Sequence, residues 1–261
     1  MLEPSNLSVT PPRAAVIHEL RQLLPVSDGS RRALPFGLDA LDAYLPEGGL
    51  AAGALHEIVP AAEAAQASAF GFIAAFLTRL PRLHPIIVVI PAYGRRRYGQ
   101  LCGHGLNAFG LDPARVIVVE TAHRKETLWA LAEALRSAAP AAVAGTIDRL
   151  DLQTSQKLHL AASDAGLPLL LLRPPQTLDA SAAATRWRIG TAAAARDRFG
   201  LYARPRWHLH LERCRNGRPG EWVVEYDHVT HRFSLAAALA DQTLYRRAGD
   251  RTYKQSCQQA C

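Results

Sequence analysis

Between residues 54 and 172 the chain switches repeatedly between short apolar runs and amphipathic stretches, and this alternation constrains the fold more than any other feature. ALHEIV (54–59), PIIVVI (85–90), RVIVV (115–119), AAVAGTI (141–147) and LPLLLL (167–172) read as strands. An unbroken β-branched run such as PIIVVI suits a strand buried on both faces. Between the strands, apolar residues recur at three and four: Phe70, Ile73, Phe76, Leu77 and Leu80, then Leu128, Leu131, Ala132 and Leu135 within 124–138. A looser helical segment covers 96–109, and a further helix 153–165. Strands alternating with helices at this pace predict an α/β fold built on a mostly parallel sheet.

The flanks follow other patterns. Residues 1–32 form an N-terminal extension with one short amphipathic helix over 13–24, and the core domain spans 33–240. Residues 174–205, rich in alanine, proline and arginine, are expected to form an extended loop. RWHLHLERC alternates strictly, NGRPG supplies turn residues and EWVVEY alternates again, which predicts a C-terminal β-hairpin on the sheet edge. The polar tail over 241–261 is expected to be disordered or to bind a partner. With 49% hydrophobic residues the chain can bury a sizeable core. No apolar run approaches the roughly 18 residues of a membrane span, and the first residues lack a secretory pattern, so a cytoplasmic protein without membrane contact is expected. The net charge of +7 comes almost wholly from arginine and permits nucleic-acid or acidic partners. The cysteines lack zinc-type pairing, and His208 and His210 share a strand face without a third ligand, so no metal is expected.

LPFGLDALDAYLPEGGLAAGALHEIV (34–59) resembles the entry into the RecA-type ATPase core, on Gly37, Leu41, Asp42, Gly48, Gly49, Leu50 and Gly53. In such a core the first strand runs into a phosphate loop, GxxxxGK[ST], whose glycines let backbone N–H groups converge and whose lysine supplies a cation. Here that register holds Pro60, Ala65, Gln66 and Ala67. Pro60 has no N–H, Ala65 disfavours positive φ, and Gln66 is neutral. No glycine occurs in 54–70 and no lysine before Lys125. Tyr93 stands near the place of the water-activating acid, and Gly145 and Thr146 at the tip that should hold magnesium, with Asp148 and Asp151 just beyond. The reading is a degenerate nucleotide site with no catalytic residues and no cofactor. EAAQASAF is expected to be helical almost from its start, with alanines filling the vacated cradle.

The combination resembles the ImuA family of damage-inducible mutagenesis proteins, degenerate relatives of RecA and of the division inhibitor SulA. Matching stretches include 126–137, 141–173, 180–190 and 204–235. The resemblance implies a RecA-like core and an accessory role in an SOS-inducible translesion-synthesis assembly. It implies as partner ImuB, a Y-family-polymerase-like protein, and through it an error-prone DNA polymerase, with RecA and single-stranded DNA as further candidates. A RecA-like DNA-dependent ATPase and a SulA-like cell division inhibitor stay open as alternatives. For DNA or partner contact the candidates are Arg186, Trp187, Arg188, Arg204, Arg206, Arg213 and Arg215, with Arg196, Arg198, Trp207 and Arg218 nearby. Guanidinium groups hold phosphates and an exposed ring stacks on a base. The alternative places Trp187 in the core at the start of a strand. GRRR (94–97) is a further basic cluster.

Overall fold

The computed structural model describes residues 32–93, 99–194, 199 and 204–236. The expected helix over 13–24, the GRRR cluster, Arg196, Arg198 and the tail over 241–261 lie outside the described residues. Two short strands, β1 (Ala33–Leu34) and β2 (Leu50–Ala51), pair antiparallel around the lead-in, which contains helix α1 (Asp39–Asp42). The remaining strands are β3 (Leu55–Pro60), β4 (Ile86–Pro91), β5 (Val116–Thr121), β6 (Ala142–Thr146), β7 (Leu169–Leu172), β8 (Thr185–Ala192), β9 (Arg206–Cys214), β10 (Gly220–Asp227) and β11 (Arg232–Leu235). They form a 9-stranded sheet in the order β11-β10-β9-β8-β3-β7-β6-β4-β5. From β8 to β5 all pairings are parallel, and from β8 to β11 all are antiparallel. The fold class is the expected one: α/β, mostly parallel, flanked by helices, with the β9–β10 hairpin at the C-terminal side.

Helices cover both faces, because the parallel strands from β3 to β7 return through helices, while β7 reaches β8 through a helix-free connection over 173–184. Helix α2 (Gln66–Leu77) packs Phe72, Ile73 and Phe76 on one face, against Ile58, Val88 and Leu170 and against the aromatic side chains of the antiparallel half. The short α3 (Gly103–Ala108) adds Leu106 to that face, and is what the described residues contain of the looser helix expected over 96–109. Helices α4 (Arg124–Arg136) and α5 (Leu152–Ala165) bury Leu131, Leu135, Leu158 and Ala162 on the other face, against Leu55, Val89, Val143 and Leu171. Their starts are built locally. Ala122 N–H donates to the Glu126 carboxylate while the His123 ring accepts from Glu126 N–H, and Asp151 accepts from Thr154 N–H. Asp151 is thus the cap of α5, and Gly166 closes that helix in the left-handed region. Among the described residues no helix is long and apolar enough to cross a membrane.

The loop expected over 174–205 is corrected in one respect: Thr185–Ala192 is a strand in the middle of the sheet. Trp187 and Ile189 point into the α2 face, while Arg186 and Arg188 point to the other and reach acids on neighbouring strands. Trp187 packs on Phe36 and Phe72, and Trp207 on Phe72, Phe109 and Tyr226. Aromatic rings that meet at tilted or edge-on angles add to area burial.

Candidate functional site at the strand-to-helix junction

In open α/β sheets ligands bind beyond the carboxyl ends of the parallel strands. The junction between β3 and α2 lies at that end. Pro60 is the last residue of β3, paired with Ile189, and Ala61 N–H donates to Ile189 O at 2.8 Å. Only Ala62 separates this ladder from a 3-10 turn, Glu63–Ala65, which runs directly into α2. Ala65 N–H donates to Ala62 O and Gln66 N–H to Glu63 O. No residue from Pro60 to Ala67 has positive φ. Left-handed residues are what turn successive N–H groups toward one point; none stands here, and the N–H groups of Ala61, Ala65 and Gln66 are bonded within the chain.

The helix starts as early as expected, but the alanines do not fill the space above it. A cavity of about 410 Å³ remains there. The first turns of α2 contribute Gln66 and Phe70, the strand ends Ile90 and Thr146, and the segment crossing above Leu106 and Phe109. Among the described residues of its wall the charged side chain is Glu63. Ala67 is exposed on the first turn, while Gln66 is 6% exposed and its Oε1 has no hydrogen-bond partner.

The lead-in keeps its pattern for structural reasons. One Asp42 carboxylate accepts from the N–H groups of Phe36, Gly37 and Leu38 at 2.9, 2.9 and 3.0 Å. A Cβ on Gly49 would stand 2.6 Å from the Leu34 carbonyl carbon. The same lead-in meets the hairpin: Trp222 Nε1–H donates to Ala40 O, Arg218 N–H donates to Tyr44 O, and the Arg218 guanidinium lies over the Tyr44 ring at 4.7 Å.

The structure divides the arginine set instead of gathering it. Trp187 is 1% exposed and Trp207 is equally buried; both belong to the aromatic core and neither presents a face to a base. Arg186 binds Glu57 and Asp179 O, Arg188 pairs with Glu212, and Arg206 with Glu225. Arg204 is exposed and reaches Asp227 at 2.9 Å. Arg213 donates to Ser181 O, and Arg215 donates through its backbone to Ala184 O and through its side chain to Ala182 O. Arg213 and Arg215 lie at the start of β8 and Arg204 and Arg206 near its end, about 24 Å apart at the strand rise of roughly 3.4 Å per residue.

Two buried polar groups in β3 escaped the sequence reading. Glu57 accepts from Arg173 Nη1 at 2.7 Å, Ser181 Oγ at 2.9 Å and Arg186 Nε at 2.8 Å. Burial draws the Arg173 guanidinium below its ordinary value, and Glu57 opposes that shift. A glutamate inside ALHEIV, where apolar residues surround it, was the available signal. Next to it His56 donates Nε2–H to Ala51 O at 2.9 Å and accepts at Nδ1 from the Thr185 hydroxyl, which itself accepts from Trp187 Nε1–H. Burial pushes His56 down from 6.5 to about 4, so the ring is neutral.

No family model matches the chain. Two relatives from strains of Caulobacter vibrioides, each named Protein ImuA, are each 34% identical to it over 228 residues, which is 80% of this chain and 90% of the relative. Relatedness of that degree along nearly the whole relative shows that the chain belongs to the ImuA family.

Proposed function

We propose that this protein is a non-catalytic accessory factor of an SOS-inducible translesion-synthesis assembly, working in the cytoplasm through protein contacts, with ImuB as its direct partner. Through ImuB it meets an error-prone polymerase. RecA and single-stranded DNA are further candidate contacts, the latter through the exposed Arg204, Arg213 and Arg215. The observation that carries the non-catalytic reading is the junction itself. Its N–H groups at Ala61, Ala65 and Gln66 are bonded to carbonyls, and no lysine precedes Lys125. A nucleotide's phosphates therefore find three of these donors already engaged and no phosphate-loop lysine. A framework without its phosphate chemistry keeps its surfaces, and those surfaces serve binding.

The test joins two measurements on the full chain. Co-expression with the ImuB protein of the same genome, with nuclease present, is expected to give a stable complex. Turnover of ATP by the chain, alone or with single-stranded DNA, is expected to stay at the level of a buffer control. Absence of a complex while both proteins are soluble removes the partner reading. DNA-stimulated hydrolysis by the purified chain establishes the ATPase alternative instead, and inhibition of FtsZ polymerisation the division-inhibitor one.

A further inference from the structure

Side chains alternate along β6, so Thr146 at its tip stands on the same face as Ala142 and Ala144, the face that α2 covers. Ile90 and Leu172 reach that face from the tips of β4 and β7, and all three line the cavity above the junction. Phe70, Leu106 and Phe109 add apolar walls. The Phe109 ring lies against the bare backbone of Gly71, where a Cβ would come within 2.9 Å of it, so α2 and the segment over 99–109 close on one space. Its volume, about 410 Å³, falls within the roughly 300–1,000 Å³ of sites that take small organic molecules. Into this apolar surrounding Thr146 sets a hydroxyl. The residue is nine-tenths buried, yet the hydroxyl keeps accessible surface, and no described side chain or carbonyl bonds to it. Because the side chain stands on the cavity's side of the sheet, that surface opens into the cavity. A buried hydroxyl without a partner is costly, and a ligand atom able to bond it removes the cost. The wall's charged side chain, Glu63, already has an interaction of its own, so nothing described there recruits an ion.

From the apolar wall and the unbonded hydroxyl we propose that this cavity is a binding site for a small uncharged organic molecule with an aromatic body and one hydroxyl or carbonyl group, which Thr146 holds. A threonine hydroxyl donates and accepts, so it serves either group. The rings of Phe70 and Phe109 favour an aromatic body, met at a tilted or offset angle. An ion entering this space would shed its water for a wall that returns no partner. A polypeptide loop would bring backbone N–H and C=O groups that apolar walls leave unpaired, which favours a free molecule. The proposal goes beyond the accessory reading and does not depend on it.

The test uses the isotope-labelled full chain and five probes: 4-ethylphenol, ethylbenzene, 4-ethylbenzoate, acetyl-Gly-Tyr-Gly-amide and magnesium ATP. 4-Ethylphenol is expected to shift the resonances of Gly71, Gly105 and Thr146 saturably. Ethylbenzene, which lacks the hydroxyl, should bind about fivefold more weakly, as the loss of one hydrogen bond implies, and the charged benzoate more weakly still. Thr146→Val removes a hydroxyl that bonds nothing in the free chain. It should erase the difference between ethylphenol and ethylbenzene while leaving ethylbenzene binding as before, and Thr146→Ala serves if that variant is unfolded. Thr146→Ser, which keeps the hydroxyl, should keep the preference. No saturable shift at millimolar 4-ethylphenol overturns the proposal, as does equal binding of ethylphenol and ethylbenzene to the unaltered chain, or a preference that survives Thr146→Val. Benzoate or magnesium ATP binding at these residues as tightly as 4-ethylphenol overturns the uncharged class, and the tyrosine peptide doing so overturns the free molecule in favour of a partner's side chain. Failure of the probes leaves the accessory reading standing, and failure of ImuB to co-purify leaves the cavity's ligand standing.

Discussion

The lead-in over 33–53 and the junction over 60–67 are neighbours in sequence that have met opposite fates. Both belong to the unit that in a RecA-type core prepares and holds a phosphate. The lead-in matches the pattern at Gly37, Leu41, Asp42, Gly48, Gly49, Leu50 and Gly53, while the junction carries neither the glycines nor the lysine. The difference separates two kinds of residue. Asp42 gathers three backbone N–H groups, and Gly49 lets the chain pass 2.6 Å from where the Leu34 carbonyl carbon would meet a Cβ. These residues fold the chain whether or not a nucleotide comes. Glycine and lysine at the junction would serve only the phosphate, and once that duty lapses a helix of alanines is the more stable choice.

The largest effect should come from breaking the lead-in. Asp42→Ala strands three donors, of which Phe36 N–H is buried, and should cost about 4 kcal/mol, or a fall in Tm of about 10 °C for a chain of this size. Urea unfolding of the two proteins side by side checks it. A loss under 1 kcal/mol would show that water replaces the carboxylate and that the lead-in, too, is dispensable.

A second effect of similar size is set by pH. His56 ties β3 back to the lead-in through Ala51 O. Its ring stays neutral in the folded chain down to about 4 but titrates at 6.5 when unfolded. Between those values the unfolded chain binds a proton that the folded chain does not, so stability falls as pH falls. The loss begins near pH 6.5, runs at up to roughly 1.4 kcal/mol per pH unit, and amounts to about 3 kcal/mol by pH 4, with no contribution above 6.5. His56→Gln, which lacks the titration, should be less stable at pH 7 yet show a correspondingly flatter profile. Parallel profiles for the two proteins between pH 7 and 4.5 would remove His56 as the cause.

A pair of opposite exchanges sharpens the contrast at smaller cost. Gly37 has φ +75, where an L side chain is strained, and Gly37→Ala should cost between about 1 and 2 kcal/mol. Ala65 is buried within a continuous helical run, and Ala65→Gly, which restores a phosphate-loop residue, should also cost about 1 kcal/mol. Glycine is thus required in one segment and harmful in the other. If Ala65→Gly stabilised the chain, the junction would be a strained remnant and not a repacked helix.

How much of this could be read in the sequence depends on how local the cause was. The parallel strands announced themselves, because PIIVVI and LPLLLL are buried on both faces and need no partner to be recognised. β8 did not. TRWRIGTA alternates, but its charged positions look like a solvated loop until Glu57 and Glu212, from distant parts of the chain, are seen to hold Arg186 and Arg188. The two-residue strands β1 and β2 are too short to show a period. At the site, the lost glycines and lysine were visible one by one. The cavity was not, since its wall is assembled from the turn before α2, α2 itself, three strand ends and the segment over 99–109. Gln66 looked like a neutral replacement for a lysine, and only the structure shows its carbonyl buried and unpartnered.

The smallest predicted effect tests the junction at the place that a phosphate loop gives to its hydroxyl. Ala67 stands where the phosphate loop carries Ser or Thr, whose hydroxyl would hold magnesium. Here Ala67 is exposed on the first turn of α2. Serine is a slightly poorer helix former than alanine, but it is well tolerated in a first turn, where N–H groups lack helical acceptors. Ala67→Ser should therefore change stability by less than about 0.5 kcal/mol and should bring no magnesium-dependent nucleotide binding, since the hydroxyl arrives without the lysine and glycines of a phosphate loop. Calorimetric titration with magnesium ATP decides the matter. Binding gained from one hydroxyl would mean that the junction still holds most of a phosphate site, and the division between a retained lead-in and an abandoned loop would have to be given up.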